Sequence, residues 1–321
     1  MMRMRCAAVI LACALPAGVD AAETFPARAV RLVVPFPPGA ALDVVGRAMA
    51  QKLTERWSRS MVVDNRPGVA GTLGAEIVVK SVPDGYTLLI AGIGSLGTAS
   101  AMYPKLAYDP LRDFAPVILI ARAQSVLLVQ ASLPFRNVRE LIAYAKANPG
   151  KLNYSSGGNG STGHLGMETF KNLAGLDIVH VAHKGPAQGV IALATGEVQL
   201  SIQSQLSAGP LVQSGRVRII AGTGARRLAE LPDLPVVAED LPGYEFYVWY
   251  GVTVPSRTPA ATVALLNREI KAVFQLPELR EMLTAQGSEI VLGSEAEFGA
   301  FLKREVGMWN TVIRAAGLRH D

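Results

Sequence analysis

The chain has 321 residues, half of them hydrophobic, with 31 Lys and Arg against 26 Asp and Glu, for a net charge of +5. The basic residues are scattered and form no stripe interleaved with aromatics, which argues against nucleic acid and leaves a small anionic ligand open. Both cysteines, Cys6 and Cys13, fall in the opening segment, so a chain that loses that segment has no disulfide and no thiolate metal site.

That segment comes first in chain order. Arg3 and Arg5, the apolar stretch CAAVILACALPAGV and the small-residue ending Val19-Asp20-Ala21 read as a secretory signal peptide over residues 1–21. The stretch is shorter than the ~20 apolar residues of a membrane-spanning helix, and it contains Pro16 and Gly18. A lipidation signal ending at Cys13 is the competing reading, with an unusually short apolar region ahead of it. Cleavage takes Lys plus Arg from 31 to 29 and Asp plus Glu from 26 to 25, so the net charge falls from +5 to +4. The mature length, with no second long apolar run, suggests two domains.

Strands then alternate with helices in the manner of parallel sheets covered by helices. VRLVVPF is a buried-strand run, and Leu42, Val45, Met49 and Leu53 lie close to one face of the helix that follows. SMVVDN is a short strand, GTLGAEIVVKSV a helix and YTLLIAG a third strand introduced by Pro83-Asp84-Gly85. APVILIA and SVLLVQ are read as two strands, where the chain crosses between domains. A second series begins with a helix that has Asn137 as N-cap, Glu140 three residues later and Pro149-Gly150 at its end. LNYSSGGNGSTGHLGMETFKNLAG repeats the strand, glycine-rich bend and helix of the opening. The strand DIVHVAHKG, a helix through GVIALATG, the strand VQLSIQ, and a further helix and strand ending in RVRIIAGTG follow. YVWYGVTV returns to the first domain, and two helices finish the chain, the last with the capping box Ser294-x-x-Glu297.

Candidate chemistry is sparse. Gly92 to Gly97 matches G-x-G-x-x-G, but it is not in the first strand-helix turn, and Tyr103-Pro104 breaks the segment behind it, so a close-packed turn is the better reading. Ser161 and Ser95 each lack the first glycine of a nucleophile elbow, and His164, three residues after Ser161, would need an orienting acid. His164, His180, His183 and His320 have no metal-ligand spacing and read as ordinary turn or surface residues. Anion capture remains. A helix N-terminus presents unpaired N–H groups and about half a positive charge, and preceding glycines admit a ligand closely. PFPPGA and SSGGNGSTGH both offer this arrangement, one in each proposed domain.

Taken together, FPARAVRLVVPFPPGAALDVVGR, VVDNRPGVAGTLGAEIVVKSVPDGYTLLI, LIAYAKANPGKLNYSSGGNGSTGHL and HKGPAQGVIALATGEV resemble the Bug family, the periplasmic substrate-binding proteins of tripartite tricarboxylate transporters. The resemblance covers essentially the whole mature chain. It implies an α/β fold of two lobes with type II periplasmic-binding-protein architecture and a ligand cleft between them. Lobe 1 would comprise residues 24–122 and 248–321, and lobe 2 residues 123–247. It further implies a periplasmic monomer that captures a small carboxylate and delivers it to membrane permease subunits, without catalysis, cofactor or metal. Carried over, the ligand-binding residues are Phe36, Pro38, Gly39, Ala40 and Asp43 in the first loop, and Ser156, Gly158, Asn159, Gly160, Ser161, Thr162 and His164 in the second. Ser95 would face the same cleft, Lys184 would lie at the rim of lobe 2, and Gln203 would line the cleft. Asn65, Arg66 and Gly68 are assigned to holding a turn.

Three departures from the family pattern bear on this. Pro38-Gly39-Ala40 stands where P-G-G is common, so a positive φ at the last position would be strained. His183 replaces a tyrosine before the Lys-Gly pair, and Gln203 replaces an acid, which removes a negative charge from the cleft. Asp43 has two readings, a helix-stabilising acid or a group that orients a ligand donor or water. Two other functions stay open, an exported hydrolase using the Ser161 or His164 region and a metabolite-sensing accessory protein on the same fold.

Overall fold

The computed structural model describes residues 25–183, 186–228, 231–315 and 317–318. The signal-peptide reading over 1–21, Lys184 and His320 lie outside the described residues.

The first series begins with β1 (Val30–Val34) and α1 (Ala41–Trp57), whose buried residues include Leu42, Val45, Met49 and Leu53 as the sequence spacing requires. It continues with β2 (Met61–Asn65), α2 (Thr72–Val79), β3 (Thr87–Ala91) and the short α3 (Ala99–Met102). β2 and β3 flank β1, both parallel to it. Such strands are covered on both faces, which accounts for the apolar run Leu32 to Val34 of β1.

β4 (Phe114–Gln130) corrects the sequence reading: the two expected strands are one, 17 residues long. Arg122-Ala123-Gln124 does not interrupt it, because β4 has partners along its whole length. Phe114 to Gln124 pair with β9 (Tyr247–Pro255), and Ser125 onward pairs with β7 (Leu200–Ser204). Register shifts at Pro116/Ile118 and Leu119/Ala121 let so long a strand bend.

The second series runs through α4 (Val138–Ala147), β5 (Asn153–Ser156), α5 (Thr162–Ala174), β6 (Val179–Ala182) and α6 (Pro186–Thr195) to β7, then α7 (Gln205–Gln213), β8 (Val217–Gly222) and α8 (Val237–Asp240). The Asn137 cap forms as expected, its side chain accepting from Glu140 N–H at 2.9 Å. Gly175 ends α5 in the left-handed conformation.

After β9 come α9 (Ala260–Phe274), α10 (Pro277–Thr284), β10 (Ser288–Ile290) and α11 (Glu295–Ala315), three helices and a strand where two helices were expected. Pro277 is the cause: it cannot continue α9, but its fixed φ suits the start of α10. The Ser294–Glu297 capping box is present, Ser294 N–H donating to Glu297 Oε2 at 2.6 Å.

The strands form a curled sheet in the order β2-β1-β3-β9-β4-β7-β5-β6, with β8 and β10 also paired to β4. The molecule therefore has two lobes, one built on β1 to β3 and the other on β5 to β7, joined by the strands that run between them. A buried cluster extends from Val33, Leu89 and Trp249 in one to Tyr154, Phe170 and Phe246 in the other. Trp309 of α11 meets Phe246 edge-on at 5.9 Å. No described helix is long and apolar enough to cross a membrane.

Candidate functional site

The loops after β1 and β5 both leave the carboxyl ends of parallel strands and lead into helices, the usual position of ligands in open α/β sheets. In the first loop Gly39 adopts φ +84°, with open space where a side chain would stand, so the demand for glycine is conformational. Ala40 has φ −67° and ψ 156°, an ordinary extended geometry before a helix. The feared strain at Ala40 is absent because Gly39 takes the left-handed position.

Asp43 is 2% exposed and ties this loop together. Its Oδ2 accepts from Gly39 N–H at 2.8 Å and from Arg47 Nε at 2.9 Å, while Oδ1 accepts from Asn65 Nδ2 at 2.8 Å. Asn65 Nδ2 also donates to the Phe36 carbonyl at 3.0 Å, and Arg47 Nη2 to Asn65 Oδ1 at 2.7 Å. Burial pushes the Asp43 carboxyl up, but the bonds from Arg47, Asn65 and Gly39 outweigh it and hold the group below its ordinary value. Asp43 and Asn65 are therefore anchors. Gly39 N–H is bonded to Asp43, and Ala40 N–H donates to the Pro37 carbonyl at 3.2 Å. The amides with no acceptor inside the helix are those of its first turn, Ala41, Leu42 and Asp43. Pro38 and Gly39 are exposed at the loop tip, and Phe36 is half-buried.

Ser95 is fully buried in a tight turn at Ile93–Gly97. Its hydroxyl bonds Gly92 N–H at 3.1 Å, and its carbonyl accepts from the Tyr108 hydroxyl. Ser95 acts through this packing: a Cβ on Gly71 would stand 3.3 Å from the Ser95 Cβ and from the Phe36 ring. One turn further on, Met102 meets the second loop, its Cε 3.0 Å from where a Cβ on Gly160 would be. Contacts thus run from Phe36 through Gly71 and Ser95, and from Met102 to Gly160.

The second loop is held from below. Gly158 and Gly160 have φ +113° and +73°. Ser156 Oγ accepts from Gly158 N–H at 3.1 Å, and His164 Nδ1 accepts from Gly160 N–H at 3.0 Å. Ser161 N–H donates to the Gly158 carbonyl at 3.1 Å. The free ends of α5 are thus the amides of Thr162 and Gly163. Ser161 occupies the N-cap yet makes no capping bond, and its Oγ is buried without a hydrogen-bond partner among the described residues. Thr162 is half-buried and Asn159 exposed.

Gln203 is 5% exposed and its Nε2 donates to Ser201 Oγ at 2.9 Å, within a buried chain that continues to Ser155 and the Gly189 carbonyl. His183 N–H donates to the Ser156 carbonyl at 3.1 Å, and its Nε2 is buried without a partner among the described residues.

His180 belongs to this site, although the sequence reading passed over it. Its Nε2 lies 2.7 Å from Ser156 Oγ, and its ring stacks on His164 at 4.1 Å. The Ser156–His180 spacing is that of a nucleophile and base, but Ser156 is fully buried. Glu168, the nearby acid, is bonded by Tyr154 and Lys171. Among the described residues no group of three His, Cys, Asp or Glu could hold a metal ion. A surface cavity of about 310 Å³ lies elsewhere, among Ser81, Pro83, Arg112, Asp113 and Arg257, and none of the predicted site residues lines it.

Residues 45–318 match the model of the tripartite tricarboxylate transporter family receptor. The chain belongs to this receptor family. BugT of Bordetella pertussis is 32% identical over 315 residues, covering 97% of this chain and 96% of BugT. Rpa4515 of R. palustris, solved with adipate, is similar with a TM-score of 0.80 and 38% identity over 91% of this chain and 98% of that one. MatC of Rhodopseudomonas palustris, solved with bound malate, has a TM-score of 0.77 and 29% identity over 90% of this chain and 100% of that one. The Bug-type resemblance read from the loops and the two-lobed α/β architecture are thereby established for this receptor.

Proposed function

We propose that this receptor captures a small organic carboxylate between its lobes, held by the first-turn amides of α1 on one side and of α5 on the other. The observation that carries the reading is the state of Asp43: both of its oxygens accept hydrogen bonds from the protein, so the acid beside the α1 amides is neutralised within the loop. Two helix N-termini then present partial positive charge to an anion. The buried Ser161 hydroxyl supplies a further donor, with Thr162 beside it. Phe36, Pro38, Gly39 and Ala40 frame the first loop, and Ser156, Gly158, Asn159, Gly160 and His164 the second. Adipate on Rpa4515 and malate on MatC support a dicarboxylate.

The same geometry bears on ligand charge. An ammonium group needs a carboxylate acceptor for a strong bond. Gln203 provides an amide already bonded to Ser201, and Asp43 is fully engaged. The receptor therefore prefers acids that lack an amino group. Lobe 1 comprises residues 24–122 and 248–321 and lobe 2 residues 123–247, with β4 and β9 as the connection on which the lobes close. The mature protein works in the periplasm as a monomer, binds without catalysing, and passes its ligand to membrane permease subunits. A hydrolase at Ser161 is disfavoured because His164 Nδ1 is bonded by Gly160 N–H and no described residue bonds the Ser161 hydroxyl as a base would.

The test is a thermal-shift screen of mono-, di- and tricarboxylates with their amino analogues. A ligand at ~100 times its dissociation constant adds ~2.7 kcal/mol of stability. Stabilisation by succinate or adipate but not by aspartate is expected. Stabilisation by the amino acids alone would overturn the assignment.

A further inference from the structure

Beneath the second loop lies a stack of three rings. His164 and His180 are 4.1 Å apart and 16° from parallel, and His180 stacks in turn on Tyr154 at 4.8 Å. Each imidazole serves one glycine of the loop. His164 Nδ1 accepts from Gly160 N–H at 3.0 Å, and His180 Nε2 is 2.7 Å from Ser156 Oγ, which accepts from Gly158 N–H. The first bond requires an Nδ1 that carries no proton, because a protonated nitrogen would set one N–H against another. Gly158 and Gly160 both hold positive φ, so these bonds fix a conformation the loop backbone would otherwise leave readily.

Charged and titratable groups approach the pair from each neighbouring element. α5 contributes Glu168 and Lys171, β5 contributes Tyr154, and His183 follows β6. Glu168 Oε1 accepts from the Tyr154 hydroxyl at 2.7 Å and from Lys171 Nζ at 2.5 Å, so its charge is already matched. Burial lowers the proton affinity of His180, Glu168 opposes this, and Lys171 and His183 add to it, leaving the ring below its ordinary value of 6.5. Two rings in van der Waals contact also resist becoming charged together.

Building on the carboxylate site proposed above, we propose that the His164–His180 pair is a positioning device for the Gly158–Thr162 loop that works only while His164 is neutral, so that ligand affinity falls as the medium becomes acidic. His180 acts in the same sense as His164. The folded state favours neutral His180, so the stabilisation it brings is present above 6.5 and is lost as pH falls toward the lower folded-state value. A receptor so built holds its ligand at neutral pH and releases it in acid.

Two measurements test this. In the first, adipate is titrated by calorimetry into the wild type, His164→Asn, His164→Leu and His180→Gln at about pH 7.5 and about pH 5. Asparagine keeps an acceptor near the Nδ1 position but does not titrate. Between the two conditions wild-type affinity should fall about tenfold more than that of His164→Asn, with the ligand's own protonation common to both. At neutral pH His164→Leu should bind more weakly than His164→Asn, and His180→Gln should have a shallower acid limb than the wild type. In the second, the Gly160 amide and the histidine ring nitrogens are followed by NMR in the ligand-free wild type. The Gly160 amide should shift and lose exchange protection with the same midpoint as the His164 ring. Equal pH dependence in all proteins, tighter binding in acid, or a Gly160 amide indifferent to the ring would overturn the proposal. Failure of adipate to bind at neutral pH, with Gly160 still titrating, would remove the carboxylate reading and leave the loop device standing.

Discussion

Asp43 draws the Gly39 amide, the Arg47 side chain on its own helix and Asn65 of β2 onto one buried carboxylate. Replacing it by alanine removes all three acceptor contacts at once, and Asp43→Ala should cost about 2 kcal/mol by chemical denaturation, with Asp43→Asn costing less. Because the folded-state value of Asp43 is lowered, its contribution is present above 3.8 and is lost as pH falls through the lower folded value. The stability difference between wild type and Asp43→Asn should therefore shrink in acid, and a constant difference would show that the charge is not the source. At the neighbouring positions Gly39→Ala should cost about 1 kcal/mol and Ala40→Gly less, since Gly39 alone of the two carries positive φ. The reverse order would move the left-handed residue to position 40. Part of this was legible beforehand: Asp43 and Arg47 stand four apart on a helix, the spacing of paired charges. The location of positive φ was not, because the Gly39 amide turns onto Asp43, whose carboxylate is held in place by Asn65 from another strand. His180 was equally hidden, since nothing in its neighbours in sequence tells that its ring meets His164.

Among the elements, the strand-helix alternation and the two loop-helix junctions followed from apolar periodicity and glycine, because those signals are local. β4 did not. Its central Arg122-Ala123-Gln124 has the polarity of a break, but cross-strand partners on β9 and β7 carry it through. The missing third C-terminal helix is a matter of Pro277, which can be read as a stop or as a start. α11 makes a further prediction. Glu305 Oε2 accepts from Trp249 Nε1 at 2.9 Å and from Trp309 Nε1 at 3.1 Å, and burial raises its carboxyl above the ordinary value against those two bonds. With a raised folded-state value, its favourable contribution is complete below 4.5 and is lost as pH rises through that value. Glu305→Gln keeps an acceptor without the charge and should be at least as stable as the wild type at neutral pH. Glu305→Ala leaves two indole donors unpaired and should lose about 2 kcal/mol in a denaturant titration. Destabilisation of equal size in both variants would mean that the charge itself is needed.

At the scale of the molecule, a core that continues from Val33 to Phe246 and the α11 contact at Trp309 join the lobes. The proposed function requires one helix N-terminus from each lobe at the ligand. Calorimetric titration of adipate into the wild type, Thr162→Ala and Gly160→Val addresses this most directly. Gly160 has φ +73° and lies against Met102, so a branched side chain there is strained and crowds the junction between the loops. Capture between the two loops predicts one saturable site in the wild type, about fivefold weaker binding in Thr162→Ala through loss of one hydroxyl bond, and no measurable binding in Gly160→Val. Equal affinity in all three proteins would contradict it.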